Sequence, residues 1–400
     1  MNEPSSGPRP IALYFPWVRE MTGAPRSALN LFSNLSGRWK PFLITDEPNP
    51  LSESMEKAGL ETEILPLSPL LSLRQHRGLG LRWAKRAQAL WELRRHQESL
   101  ARILRRRGAA VVWARNAKGV LYAARGAKAA GCSYVWDVGL EDRSEGLLYL
   151  LHSWALRQAD LIVTQAETQP LKIFGKRRLS RHAHKVRSLV PGIDPTRARA
   201  LLSACTQRPR DGTTILCVGT IHPRKNQRML LQAALPLLAC NPGLRLKFAG
   251  SPLDGAYAAE LQQLTARAAL TDRVEFLGWR DDIPELMGES HVLVVASENE
   301  GIPQVVREAM FSGLAIVSSA VGGIPEVIDD LRTGLLYSPG DGGALRHALT
   351  ELLRAPERIR ELGSAAQTEA FGRFSLESWC RRYDDLLWSV VNHAAPPVLE

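Results

Sequence analysis

The sequence predicts an α/β chain built as two doubly wound parallel sheets, and three observations carry that expectation. Its 400 residues exceed what one compact core accommodates, so two domains of ordinary size are expected. Short apolar runs alternate with helical segments along the chain, the order that yields parallel strands covered by helices on both faces. The stretch Val190-Pro191-Gly192-Ile193-Asp194-Pro195 interrupts both patterns with two prolines and a glycine, which places a boundary there.

In the first half the expected strands are 11–15 (IALYF), 41–44, 63–65, 111–114 (VVWA), 133–136 and 161–163, with helices near 26–35, 82–106, 118–130, 144–159 and 167–174. The second half is more legible. Strands are expected at 214–218 (TILCV), 245–249 (RLKFA), 274–277, 292–295 (VLVV), 315–318 and 334–336. Helices are expected near 226–238, 256–269, 282–289, 303–312, 324–329 and 343–354. Apolar runs without strict alternation fit strands buried on both faces. A final helix over 375–391, capped by Ser375, carries Trp379 and Trp388 and should pack firmly.

Composition narrows the class. With 45% hydrophobic and 23% charged residues the chain reads as a soluble globular protein. The N-terminus lacks a basic start followed by an apolar core, so no secretory signal is expected, and no window approaches the roughly 18 apolar residues of a spanning helix. The five cysteines are dispersed with no CxxC pair, the usage of reduced thiols in a cytoplasmic protein rather than of a disulfide framework or zinc site. Residues 1–192 hold 30 Lys/Arg against 16 Asp/Glu, a net +14, whereas residues 193–400 hold 21 against 25, a net −4. The first half is therefore expected to meet something anionic.

The strongest chemical signal is the segment from Ser297 to Met310, SENEGIPQVVREAM. A strand ends, a turn containing Gly301 follows, and a helix begins near Pro303, a favoured first-turn residue. The backbone N–H groups of Gly301, Ile302, Gln304 and Val305, around Pro303, would then face the crevice at the strand's carboxyl end, where a helix start holds phosphate. Glu300 in the turn and Glu308 inside the helix could reach two parts of one elongated ligand, and carboxylates suit vicinal diols because each oxygen accepts a hydroxyl proton. A second element, Gly219-Thr220-Ile221-His222-Pro223-Arg224-Lys225, leaves the first strand of the second half. Its forked guanidinium and its ammonium suit a diphosphate whose charge grows as it departs.

These residues resemble the retaining GT-B glycosyltransferases of family 4 (glycosyl transferases group 1). The two glutamates stand where that family has its E-x7-E motif. Residues 308–341, EAMFSGLAIVSSAVGGIPEVIDDLRTGLLYSPGD, follow its EAM...GG-x-x-E...P-x-D run, departing at Leu314-Ala315, where Gly/Ala-Pro is usual. The resemblance implies a GT-B fold, two Rossmann-like doubly wound domains facing a central cleft. Residues 1–192 would form the acceptor-side domain, 193–374 the nucleotide-sugar domain, and the helix of 375–400 would pack back on the first, with the halves closing about 190–195. It implies a hexosyltransferase-type enzyme (EC 2.4) that transfers from a UDP- or GDP-sugar. Glu300, Lys225 and Arg224 are then expected at the reacting centre. The donor is expected against Gly301–Val305 and Glu308, with Gly250, Gly278, Trp279 and Arg280 beside the base. In the first half, Met21-Thr22-Gly23-Ala24-Pro25-Arg26 is similar to the family's first-domain loop. Gly23 is then a donor contact, and Arg26, Asp137 and Arg143 lie on the acceptor side. Many relatives place a histidine at the strand end where this chain has Trp136-Asp137. His152 and His222 read as bystanders.

No two aspartates are separated by one position, so the D-x-D metal element is absent and neither a metal nor any other cofactor is expected, the sugar nucleotide being a co-substrate. A catalytically silent nucleotide-sugar-binding protein is the alternative. A nucleic-acid binder is disfavoured, because the basic residues lie on helices and RNP-like aromatics are lacking. Between Arg74 and Arg107 the chain has eleven Lys/Arg and only Glu92 and Glu98 as acids, with a stripe of Leu90, Leu93, Leu100 and Leu104. Two readings stand for that helix. In one, it packs its leucines and shows arginine to solvent. In the other, the arginine face, with Trp83 and Trp91 beside it, also rests on anionic lipid. The enzyme would then work peripherally at the inner face of the membrane on an anionic or lipid-linked acceptor.

Overall fold

The computed structural model describes residues 7–21, 23–72, 83–139, 146–206, 208–209 and 211–392. The chain divides into two compact units. One runs to Pro191 and resumes at Glu377, and the other is Gly192–Leu376.

The first unit is a seven-stranded sheet, every neighbouring pair parallel, in the order β3-β2-β1-β4-β5-β6-β7. Its strands are β1 (Arg9–Tyr14), β2 (Trp39–Thr45), β3 (Glu61–Ile64), β4 (Val111–Arg115), β5 (Ser133–Asp137), β6 (Leu161–Thr164) and β7 (Val186–Ser188). Between them lie α1 (Gly23–Ser33), α2 (Pro50–Lys57), α3 (Pro69–Ser72), α4 (Trp83–Arg107), α5 (Asn116–Ala129), α6 (Gly146–Gln158), α7 (Thr168–Phe174) and α8 (Lys176–His182). Central strands are apolar because both faces are covered, whereas edge strand β3 exposes Glu61 and spends its acids on Lys40, Arg106 and Arg107. Charge on an unpaired edge discourages strand addition.

The stripe on α4 differs from its expected form. Leu100 and Leu104 are fully buried and Leu93 packs against the same core, but Leu90 is 62% exposed and neighbouring Trp91 56%. By angle, at about 100° per residue, Leu90 falls between the buried Gln97 and Ala101, so it shares their face and is exposed because the buried contacts of this helix begin only at Leu93. His96 and Gln97 fill the stripe instead, His96 with its Nε2 2.8 Å from the Tyr14 hydroxyl. Residues 74–82 of the basic segment, and the side chains of residues 83–86, Trp83 among them, lie outside the described residues.

The second unit is a six-stranded parallel sheet in the order β10-β9-β8-β11-β12-β13. Its strands are β8 (Thr213–Val218), β9 (Leu244–Ala249), β10 (Val274–Phe276), β11 (Val292–Val295), β12 (Ala315–Ser319) and β13 (Leu335–Tyr337). Its helices are α9 (Pro195–Cys205), α10 (Gln227–Cys240), α11 (Gly255–Arg267), α12 (Ile283–Gly288), α13 (Gln304–Phe311), α14 (Ile324–Val327), α15 (Gly342–Arg354) and α16 (Pro356–Arg373). Both sheets reverse their strand order next to the first strand of the unit, between β1 and β4 and between β8 and β11. Such a switch point opens a crevice at the carboxyl ends of the strands.

Several elements were not expected. Strand β7 is a three-residue edge strand interrupted by Arg187, too short and polar to stand out. Helix α9 begins directly at the supposed boundary, with Asp194 capping Thr196 and Arg197 and Pro195 in the first turn. The same Pro and Asp that signal a break also start a helix. The last helix, α17 (Leu376–Val391), joins the first unit from Glu377 onward. There Tyr383 accepts the Trp113 indole N–H at 2.7 Å, Asp384 accepts from Ser36 and Arg38, and Trp388 meets Trp39 edge-on.

Candidate functional site

In the second unit the expected donor residues gather along one edge of the sheet. Gly219 follows strand β8, its N–H donating to Ala249 O at 2.9 Å, and the chain then makes a tight turn through Pro223–Lys225. His222 caps that turn, its Nδ1 accepting from Arg224 N at 3.2 Å. Asn226 stands in the left-handed region and closes the turn before α10. Buried Gln227 donates to Thr220 O, which holds the loop to the helix. Lys225 is thereby folded back toward Gly219.

Neighbouring strand β11 ends at Val295 and the chain passes through 296–303 before α13. Glu298 N donates to Arg224 O at 3.0 Å, fastening the two loops together. The result is a 2.5 Å ion pair between Lys225 Nζ and Glu300 Oε1, with Glu300 8% exposed. Arg224 remains exposed one residue earlier. Pro303 occupies the cap rather than the first helical position, with extended φ and ψ, so α13 starts at Gln304. Its cap supplies no side-chain hydrogen bond. Gly301, Ile302, Gln304 and Val305 surround this helix start, Ile302 being buried.

Two glycines permit this packing. A Cβ on Gly250 would lie 2.0 Å from Gly219 O, and one on Gly322, at φ +57°, would lie 1.7 Å from Glu300 O. Gly323 N donates to Gly301 O at 2.9 Å, so the turn after β12 braces the Glu300 loop from its other side. Farther along the edge, Gly250 N donates to Gly278 O at 2.7 Å. Trp279 beyond it is half exposed, and Arg280 is forked onto Asp282, whose carboxyl this guanidinium holds below its ordinary range.

Glu308 lies inside α13, 4% exposed. Its Oε1 accepts from Arg197 Nε and from Gln304 Nε2, both at 2.9 Å. Arg197 was not among the expected residues. The signal that could find it is the Asp-Pro-Thr-Arg start of α9, whose Asp and Pro also mark a break.

In the first unit Gly23 opens α1 as an exposed residue and Arg26 is half-buried one turn on. Asp137 ends β5, buried, with Oδ1 2.7 Å from Arg115 Nη1 and Oδ2 accepting from Tyr383 at 3.3 Å. Burial raises its carboxyl pKa, against the opposing pull of Arg115 and the Tyr383 hydrogen bond. Oδ2 thus helps anchor α17, while Oδ1 is held by Arg115 of β4. Arg143 lies outside the described residues. His152 is buried against Trp136 and Phe174. On the helical face, Arg94, Arg102, Arg105, Arg125 and Lys128, with Glu98, line a groove of about 720 Å³ along α4 and α5. Among the described residues no group of three or more His, Cys, Asp or Glu could hold a metal ion.

Residues 212–355 match the family model described as Glycosyl transferases group 1. The match lies wholly within the second unit. Among curated proteins, the putative glycosyltransferase EpsD of Bacillus subtilis is 29% identical over 236 residues, covering 57% of this chain and 60% of that protein. The N-acetyl-alpha-D-glucosaminyl L-malate synthase of Bacillus anthracis is 33% identical over 138 residues, covering 34% and 36%. The chain thus spans about half the length of the curated relatives it matches. Among solved structures, Anabaena Alr3699/HepE in complex with UDP superposes with a TM-score of 0.74 at 19% identity, over 95% of this chain and all of that one. The two sheets have the GT-B glycosyltransferase fold.

Proposed function

We propose that the chain is a retaining glycosyltransferase that moves a sugar from a UDP- or GDP-sugar to an acceptor hydroxyl. The observation that carries this reading is the meeting of Lys225 and Glu300 at the carboxyl ends of adjacent strands, within the residues that match the group 1 family model. From β10 to β11 the sheet edge crosses three strand spacings, about 14 Å. That length suits a sugar nucleotide laid along it, with the base by Gly278-Trp279, the ribose by Glu308, the diphosphate by Lys225 and Arg224, and the sugar by Glu300.

In the reaction the bond from the anomeric carbon to the diphosphate breaks and a bond to the acceptor oxygen forms on the same face. The acceptor proton passes to the departing diphosphate oxygen. Lys225, Arg224 and the start of α13 offset the growing phosphate charge, and Glu300 orients the sugar and stabilises positive charge at the anomeric centre. Because these cations do the work of charge neutralisation, turnover is expected in excess EDTA. The experiment is a panel of UDP- and GDP-sugars with the anomeric configuration of the product read by NMR. An inverted product would end the retaining assignment. Binding without transfer or hydrolysis of any donor would favour the catalytically silent alternative.

The place of action we propose is the cytoplasmic face of a membrane, with an anionic or lipid-linked acceptor. The basic groove along α4 and α5, and exposed Leu90 and Trp91 on the same helix, support it. Each basic residue near an anionic surface contributes about 1 kcal/mol, and tryptophan suits the interface. Among the described residues no helix is long and apolar enough to cross a membrane. Co-sedimentation should require anionic vesicles, weaken with salt, and fall when Arg102 and Arg105 become Glu. Equal recovery on neutral vesicles would leave a solvated helix only. No nucleic-acid partner is expected, and a salt-dependent shift of random DNA would contradict that.

A further inference from the structure

The buried carboxylate of Glu308 is held asymmetrically. Both side-chain hydrogen bonds it receives, from Arg197 Nε and Gln304 Nε2, fall on Oε1, leaving Oε2 without a protein partner among the described residues. The two donors come from different places. Gln304 is one turn earlier on the same helix, so it follows α13 wherever that helix goes. Arg197 comes from α9, 111 residues away in sequence, and is itself fixed at the helix start because Asp194 Oδ1 accepts from Arg197 N at 3.1 Å. Its side chain is four-fifths covered. Next to Asp194, the backbone is clamped in turn. Ile193 N donates to Phe374 O at 3.0 Å, and a Cβ on Gly192 would fall 2.5 Å from Leu376 Cα. The Glu308 carboxylate thus takes its rotation from a guanidinium pinned to the backbone rather than from its own helix alone.

A carboxylate with both oxygens free turns about its last torsion and offers a diol no defined pair of lone pairs, because terminal sp² torsions are broad. Saturating Oε1 with two donors removes that freedom and presents Oε2 in one orientation. From this geometry we infer that Arg197 is a positioning residue for reading the ribose hydroxyls of the nucleotide, acting through Glu308 without touching the ligand. The inference rests on the proposed donor placement. Its chemistry is recognition of a 2′,3′-diol, so its signature is discrimination between ribo- and 2′-deoxyribonucleotides rather than affinity alone. A packing role for Arg197 would lower stability and leave that discrimination unchanged.

Calorimetric titration of UDP, GDP and their 2′-deoxy forms against wild type, Arg197→Met and Arg197→Lys tests it. Wild type is expected to bind the ribo form of its preferred nucleotide about 10-fold or more tightly than the deoxy form, the scale of one hydrogen bond to a charged group. In Arg197→Met that ratio should collapse toward unity while the affinity for the deoxy form changes little. Lys, which keeps the charge but loses the Nε–H, should restore it only in part. If Arg197→Met fails to fold, Gln304→Ala, which removes the other donor to Oε1, should lower the ratio in the same direction. An undiminished ratio in the folded variants overturns the inference, as does a wild type that binds ribo and deoxy forms equally. A wild type that binds neither UDP nor GDP overturns the donor reading itself.

Discussion

Gly322→Ala tests the most demanding feature of the candidate site, the packing of one loop against another without side chains. Gly322 has φ +57°, and a Cβ there would sit 1.7 Å from Glu300 O and 2.7 Å from its carbonyl carbon. The left-handed conformation alone costs a non-glycine residue about 1–2 kcal/mol. Non-bonded contact requires about 3.5 Å, so the Glu300 loop must also retreat by about 1.5–2 Å. That loop carries the carboxylate paired with Lys225 at 2.5 Å. A misplacement of 1 Å in a reacting constellation costs about 100-fold in rate. Gly340 supplies the control. It has φ +80° with no heavy atom within 4 Å of its would-be Cβ, so Gly340→Ala incurs the backbone cost without the collision. For a unit of this size each kcal/mol shifts the melting temperature by about 2–4 °C. Calorimetric melting should therefore fall by about 2–8 °C for Gly340→Ala and further for Gly322→Ala. Only Gly322→Ala should lose about 100-fold in kcat/KM with the best donor of the panel. Equal melting temperatures and equal kcat/KM for the two variants would refute the reasoning, since the loop contact would then be dispensable.

Other outcomes follow from single groups. Lys225→Ala should lower kcat/KM by about 100-fold or more, as expected for a lost charged contact to the leaving group, while Lys225→Arg should recover part of it; unchanged kinetics would remove Lys225 from the site. His96 is buried beneath the first sheet, and burial lowers its pKa to about 4 from an ordinary 6.5. The folded state then binds fewer protons than the unfolded one between those values. Its contribution to stability is complete above pH 6.5 and is lost as the pH falls toward 4, by an amount on the order of 3 kcal/mol. Chemical denaturation between pH 7 and 4 should show that slope in wild type and a flatter one in His96→Gln.

The strands of the second unit were legible because their signals are local. Val292–Val295 is an unbroken apolar run of strand length, and Gly219, Gly250 and Gly278 each follow a strand at the position where a loop must turn closely. The candidate glutamates and Lys225 were legible for the same reason, since strand, turn and helix start are contiguous in the chain. Elements whose existence depends on what covers them were not legible. The edge strand β7 gains its identity from pairing with β6, and α9 from packing that the Pro195 break conceals. Leu90 reads as core and lies in solvent, and the buried His96 and Gln97 do not stand out in the sequence, because how far a core reaches along a helix is a tertiary quantity. The pairing of side chains was decided in the same way. Lys225 and Glu300 are 75 residues apart and Arg197 and Glu308 are 111 apart, and no local pattern records which carboxylate each cation will meet. The order of the parallel strands brings β8 beside β11 and so joins the first pair. The capped start of α9, packed on α13, joins the second. By itself the sequence determined which residues are candidates for the chemistry, because hydrogen-bonding capacity and charge belong to residues. Only the tertiary structure decided which of them touch, because distance belongs to the fold.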